Sequence, residues 1–167
     1  SREFERELSA PETIRESLSG ILALLRSARK DRTCLLTVSP VRHIRDGLVE
    51  NQRSKAHLIT AVHALAAEGA AAYFPSYELF MDELRDYRFY ARDLLHVSEQ
   101  ATGHIWEKFD QAFLSDRSRK IIRDLGPLLK MLGHRTLNTE ETAYENMVKT
   151  REKRRLELMT KYPDLSW

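Results

Sequence analysis

The first part of the chain carries apolar residues at helical spacing. The run from Ile14 to Leu25 places them at i, i+4, i+7, i+8 and i+11, which is one face of a helix. Ser9 precedes this run, Pro11 falls in the first turn, and Glu12 stands three residues after Ser9 as in a capping box. We therefore predict an amphipathic helix that starts at a Ser9 cap and ends near Arg29.

A strand–helix–strand pattern comes next. The run Thr33–Ser39 is short, β-branched and almost continuously apolar, and Pro40 closes it, which is typical of a strand buried on both faces. Helical periodicity follows over roughly 51–67 and stops at Gly69, before a second short strand over Ala71–Ser76. These short joints predict a βαβ unit with two parallel strands and a right-handed crossover.

The last third of the chain has a different pattern. Apolar residues form one helical stripe from Ile121 to Leu132, and a strongly charged helix is predicted over roughly 139–161. This shift in composition divides the chain into an α/β part, residues 1–114, and a charged helical extension, residues 115–167. Two parallel strands are too few for an independent core, so we expect further strands on a segment upstream of Ser1.

Composition excludes several classes of protein. The chain has 167 residues, of which 42% are hydrophobic and 31% charged, as in a folded globular protein. The net charge of +2 argues against a nucleic-acid partner, and the longest apolar runs are too short to span a membrane. A lone cysteine, Cys34, excludes an intrachain disulfide. We expect a cytoplasmic protein without cofactor or metal.

The leading candidate for chemistry is the sequence Asp93-Leu94-Leu95-His96, just before a helix that Ser98 is expected to cap. An aspartate three residues before a histidine can accept a hydrogen bond from Nδ1, fix the tautomer and stabilise the imidazolium. The histidine can then act as general base for a nucleophile. The alternative is a coincidence of spacing, since both residue types are common in this chain.

A second group of candidates follows the first predicted strand, where ligands bind in open α/β sheets. His43 and Arg42 lie in this polar segment, and a pocket there can also include Asn51, Ser54 and Lys55. The alternative is a polar loop and helix start, in which Asn51 caps the helix and Lys55 is solvated.

Two further runs have open interpretations. The aromatic and charged run from Tyr73 to Tyr90 is either a binding surface or core packing with an Asp–Arg network. The basic run Lys149–Arg155 either contacts phosphates or forms a solvated helix face, paired with the glutamates around it.

Taken together, these residues resemble a known family. The stretches LTVSPVRHIRDGLVENQRSKAHLITAVHAL and YFPSYELFMDELRDYRFYARDLLHVSEQATGHIWEKF, within Leu36–Phe109, look like the C-terminal half of a GSCFA-domain protein. That family is grouped with the SGNH (GDSL-like) hydrolases. The resemblance implies a three-layer α/β sandwich, of which this chain would carry the C-terminal half with its βαβ unit, plus the helical extension.

The same resemblance implies a serine acyl-ester hydrolase or acyltransferase. Asp93 and His96 then match the acid and base of a Ser-His-Asp triad, and the substrate is a small-molecule or carbohydrate acyl ester. The family motif Gly-Ser-Cys-Phe-Ala, which should hold the nucleophile, has no counterpart, because no Gly-Ser pair occurs in the chain. Val97 also stands where related sequences should have proline. The nucleophile is therefore expected on an N-terminal segment, and this chain alone is expected to be inactive.

A non-enzymatic alternative remains open. In it, the α/β part is a scaffold and the charged C-terminal helices bind a partner. The sequence makes no prediction about the oligomeric state.

Overall fold

The computed structural model describes residues 7–133 and 141–165. The chain divides into two compact units, residues 1–109 and residues 110–167, which are described separately. Ser1 and the predicted beginning of the last helix near residue 139 lie outside the described ranges. Of the described residues 70% are helical. None of the helices in these ranges is long and apolar enough to cross a membrane.

Two long helices of the N-terminal unit pack against each other. Helix α1 spans Pro11–Ala28 and packs against helix α2, Gly47–Ala67. The N-cap of α1 is Ala10 without a side-chain hydrogen bond, so the predicted Ser9 cap is wrong. The buried apolar side chains of the two helices are Leu22, Ala61, Val62 and Leu65.

The start of α2 also differs from the prediction. A 3₁₀ turn over Ile44–Asp46 leads directly into the helix, which therefore begins at Gly47 and not near residue 51. Gly47 has φ +80°, a conformation that glycine adopts without steric cost. The change of direction at this glycine lets the polar segment after the first strand join the helix without a longer loop.

The two strands pair in parallel, as the strand–helix–strand pattern predicts. Strand β1, Leu35–Leu36, aligns with strand β2, Ala72–Tyr73, and α2 connects them. Both strands are much shorter than predicted. Pro75 lacks the N–H group that would extend the ladder beyond β2. Leu35 is 37% exposed, so β1 is not buried on both faces.

The expectation of a three-layer α/β sandwich is wrong for this structure. The described residues contain six α-helices and a single two-stranded sheet. A sandwich requires several neighbouring strands that satisfy one another's backbone groups, whereas most apolar positions of this chain follow helical periodicity. The N-terminal unit is therefore a helical assembly with a small parallel β pair.

The second half of the N-terminal unit has its own small core. A short helix α3, Ser76–Glu78, continues into a π-helical turn, Leu79–Glu83, and a 3₁₀ turn covers Tyr87–Phe89. Helix α4 spans Glu99–Phe113, and Ser98 Oγ accepts the N–H of Ala101 at 3.3 Å, as the predicted cap requires. The buried residues of this core are Phe80, Leu84 and Ala101.

The C-terminal unit contains a pair of helices. Helix α5 spans Asp116–Gly133 and continues through Pro127, whose missing N–H group does not end the helix. Helix α6 spans Glu141–Lys161 and packs on α5. Their shared core contains Leu128, Leu158 and Tyr162, each of which is at most 7% exposed.

Candidate active site

The Asp93–His96 segment is a tight turn between two short extended pieces. Tyr90 and Val97 form an antiparallel bridge, and the N–H of Ala91 donates to the His96 carbonyl at 2.8 Å. Leu94 has φ +58°, a conformation that L-residues, unlike glycine, adopt at an energetic cost. The bridge and the turn place Asp93 and His96 on one short loop just before α4.

Asp93 uses both carboxylate oxygens within this turn. Oδ2 lies 2.7 Å from Nδ1 of His96, while Oδ1 accepts the backbone N–H groups of Leu95 at 2.9 Å and His96 at 3.0 Å. The hydrogen bond from the His96 ring and the two backbone N–H groups stabilise the carboxylate, and they lower the pKa of Asp93 from 3.8 to about 2. Asp93 is therefore ionised over the whole physiological range.

The contact with Asp93 also assigns the roles of the two ring nitrogens of His96. An ionised carboxylate accepts hydrogen bonds only, so Nδ1 carries the proton, and in the neutral ring Nε2 is the basic nitrogen. The side chain of His96 is 63% exposed. Nε2 has no hydrogen-bond partner among the described residues. A histidine held in this way can accept a proton from a hydroxyl that approaches Nε2.

Arg42 links the segment after β1 to this turn. Its backbone N–H donates to the Leu95 carbonyl at 3.3 Å, and its guanidinium donates to the Leu94 carbonyl at 3.3 Å and to the Tyr90 hydroxyl at 2.7 Å. The guanidinium carbon also lies 4.1 Å from the centre of the Tyr90 ring, within the range of a cation–π interaction. One residue therefore holds two carbonyls of the turn.

The other residues that the sequence singles out after β1 lie in or near the start of α2. Asn51 Oδ1 accepts the backbone N–H of His43 at 2.8 Å, and Lys55 Nζ donates to the Ser39 carbonyl at 2.6 Å. Both side chains are buried, so Lys55 is not a solvated lysine, and burial lowers its pKa. Their polar atoms thus hold the backbone of the segment that carries Arg42.

His43 and Ser54 contribute less to this arrangement. The side chain of His43 is exposed, and Ser54 is half-buried on α2. Within the described ranges, no hydrogen bond joins His43, Ser54, Asn51 or Lys55 to the Asp93–His96 turn. Of the residues predicted to line a pocket after β1, Arg42 is the one that the structure brings into hydrogen-bond contact with that turn.

Two other histidine–carboxylate pairs were not predicted from the sequence. His104 Nε2 lies 2.8 Å from Glu83, and Lys108 Nζ donates to the same carboxylate at 3.3 Å. His63 Nε2 lies 3.6 Å from Glu78, which also accepts the Tyr73 hydroxyl at 2.7 Å. The members of the first pair are 21 residues apart, and only the fold brings them together.

Neither a metal cluster nor a wholly unpaired basic run is found in the described ranges. No group of three or more His, Cys, Asp or Glu side chains there has the arrangement that would hold a metal ion. Three of the five basic residues in the run 149–155 pair with glutamates of the same helix. These pairs are Lys149 with Glu145, Arg154 with Glu157 and Arg155 with Glu152.

The N-terminal unit is the part of the chain that matches a protein-family model. No curated protein and no solved structure matches the chain. A family model, that of the GSCFA family, matches residues 1–109, which include β1, β2, Arg42 and the Asp93–His96 turn. This match covers more than half of the chain, and the chain therefore belongs to the GSCFA family.

Proposed function

We propose that Asp93 and His96 are the acid and base of a Ser-His-Asp triad that hydrolyses an acyl ester. The observation that carries the proposal is the 2.7 Å contact between Asp93 Oδ2 and His96 Nδ1, on a histidine whose side chain is left exposed. In this proposal the serine comes from an N-terminal segment of the domain, and residues 1–167 are inactive on their own. The SGNH hydrolases, with which we group this family, supply the analogy for the reaction class.

The proposed reaction has two acyl-transfer steps. The serine Oγ attacks the ester carbonyl carbon while His96 Nε2 takes its proton, and Asp93 stabilises the imidazolium that forms. His96 then returns that proton to the leaving alkoxide, which departs as the alcohol. Water attacks the acyl-serine in the second step, again through His96, and releases the carboxylic acid and the free serine.

The turn supports this proposal because the histidine and its carboxylate are held by backbone contacts. Asp93 Oδ1 accepts two N–H groups, and Arg42 holds the Leu94 and Leu95 carbonyls. A base that is held in one rotamer and one tautomer needs little rearrangement when the proton moves. The substrate class, a small-molecule or carbohydrate acyl ester, is part of the same proposal.

Serine-directed labelling of the intact gene product tests the proposal. We expect a fluorophosphonate probe to label one serine, and we expect His96→Ala to reduce the labelling rate by on the order of 10³-fold or more. The matched control is His104→Ala, which removes a histidine of the Glu83 pair and should leave labelling unchanged. His96→Gln, a polar substitution in the same exposed position, serves if the alanine variant does not fold.

Three outcomes of the labelling experiment would contradict the proposed triad. An absence of labelling in the folded wild-type product, or labelling that survives both substitutions of His96, overturns the proposed triad. Equal losses in the His96 and His104 variants would also contradict it, because then the effect would not depend on the Asp93 contact.

A further inference from the structure

A small cavity lies beside the Asp93–His96 turn. Its volume is about 170 Å³, and Arg42 and Tyr90, the two side chains that contact each other next to the turn, form part of its wall. The full lining is Arg42, Phe80, Met81, Leu84, Arg85, Asp86, Tyr87 and Tyr90.

The base of this cavity is apolar. Phe80 and Leu84 are 1% and 5% exposed, and Met81 packs against the same core. Tyr87 is a wall residue and is 68% exposed, a large aromatic surface left open to solvent at the rim. Drug-sized ligands occupy pockets of about 300–1,000 Å³, so this cavity suits a smaller molecule of about one ring.

The charged groups around the cavity are not balanced. Arg85 pairs with Asp82 at 2.8 Å, and Asp86 pairs with Arg88 at 3.3 Å. Arg42 makes no ion pair with any of the described residues, although it is half-buried. Its guanidinium has five N–H donors, of which the carbonyl of Leu94 and the hydroxyl of Tyr90 use two. The remaining donors have no acceptor in the described part of the chain.

We propose that this cavity binds a small carboxylate with an apolar body of about one aromatic ring, with the carboxylate on Arg42. A half-buried guanidinium that lacks a counter-ion favours an anion, and its planar donors match the two oxygens of a carboxylate. The aromatic and aliphatic lining favours an apolar ring over a strongly hydrated sugar acid. The binding of a carboxylate in this cavity does not depend on the proposed function. The assignment of the cavity to one part of an ester substrate rests on that function.

Titration of the 167-residue chain with sodium benzoate, followed by ¹H–¹⁵N NMR, tests the proposal. We expect shifts confined to the cavity, at Phe80, Tyr87 and Tyr90, with a Kd on the order of 1 mM for so small a ligand. Benzamide has the same shape without the charge. It should bind about tenfold or more weakly, because the charge-assisted contact with Arg42 is lost.

Variants separate the cavity from general electrostatic attraction. Arg42→Gln should weaken benzoate binding about tenfold or more and leave benzamide nearly unchanged. Arg92→Gln is the matched control, because Arg92 is exposed and does not line the cavity. Met81→Trp should weaken both ligands by filling the cavity. If Arg42→Gln disturbs the turn, Met81→Trp still tests whether the ligand occupies the cavity, because the Met81 side chain makes no hydrogen bond to the turn.

The proposal is overturned if benzoate and benzamide bind equally, if benzoate shifts are spread over exposed arginines, or if Met81→Trp binds benzoate like the wild type. Because these measurements need no catalysis, they stand apart from the serine-labelling experiment. Serine labelling without benzoate binding would contradict the carboxylate site and support the triad. Benzoate binding without serine labelling would support the carboxylate site alone.

Discussion

Two histidine–carboxylate pairs in the N-terminal unit have nearly equal distances but different surroundings. Asp93 lies 2.7 Å from Nδ1 of His96, and Glu83 lies 2.8 Å from Nε2 of His104. The contact of His96 leaves Nε2 without a hydrogen-bond partner among the described residues, whereas the contact of His104 uses Nε2. Lys108 also competes for Glu83, so that carboxylate is shared between two partners.

The supports of the two carboxylates differ as well. Asp93 accepts two backbone N–H groups of its own turn, which fix its position relative to His96. Glu83 ends the π-helical turn and reaches its partners on α4 through side-chain contacts. A short distance between a histidine and a carboxylate is therefore weak evidence of a general base. The identity of the paired nitrogen and the backbone support of the carboxylate discriminate better.

The largest expected difference between the two pairs is in ester hydrolysis by the intact gene product. Asp93→Asn should lower kcat by on the order of 10³–10⁴-fold, because the amide no longer holds the required tautomer of His96. Glu83→Gln should leave kcat within about threefold of the wild type. Steady-state hydrolysis of an activated ester measures both variants. A loss in Glu83→Gln as large as that in Asp93→Asn would make the two pairs equivalent and break the comparison.

A second prediction concerns the pH dependence of the Asp93–His96 turn. The pKa of Asp93 is lowered in the folded state. The contribution of its carboxylate to stability is therefore complete above pH 3.8 and is lost as the pH falls through about 2. Titration of the Asp93 carboxyl carbon by ¹³C NMR measures this directly. In His96→Ala the pKa should rise towards 3.8 without reaching it, because the backbone amides of residues 95 and 96 still donate. A wild-type Asp93 that titrates near 3.8 would mean that the pair does not form in solution.

The smallest expected effect concerns the backbone of the turn. Leu94 has φ +58° and is 48% exposed, so Leu94→Gly removes conformational strain and little packing. We expect Leu94→Gly to change the free energy of unfolding by less than about 1 kcal/mol and Leu94→Val to lower it by about 1–2 kcal/mol. Chemical denaturation measures both. The Glu83–His104 pair should be unaffected, and equal stabilities of the two variants would argue against a positive φ at this position.

Much of the fold follows from local periodicity. The apolar spacing predicts α1 and the parallel pairing of two strands, and the Ser98 cap marks the start of α4. The lengths of the strands could not be predicted, because they depend on which backbone groups find partners in the folded chain. The start of α2 was missed because Gly47 makes its turn through a positive φ, which the polar sequence around it does not reveal.

The candidate site was predictable only as far as its members are close in sequence. Asp93 and His96 are three residues apart, and their spacing alone predicts the contact. The contacts of Arg42 reach residues 48 and 52 positions away, and no signal in a single sequence marks them. The Glu83–His104 pair also joins two separate elements. Long-range pairs of this kind are fixed by the packing of helices, which the pattern of apolar residues specifies only in outline.

The contact of Arg42 with the turn joins two segments that are synthesised at different times. Fifty-two positions separate Arg42 from Leu94, and Arg42 precedes it in synthesis. When residues 90–97 leave the ribosome, the β1 segment and α2 have already emerged. Arg42 is therefore available to the turn as soon as the turn emerges. The turn that carries Asp93 and His96 is thus the last part of this contact to be synthesised. A chain arrested before Tyr90 leaves the Arg42 guanidinium without the hydroxyl and the carbonyl that accept its hydrogen bonds.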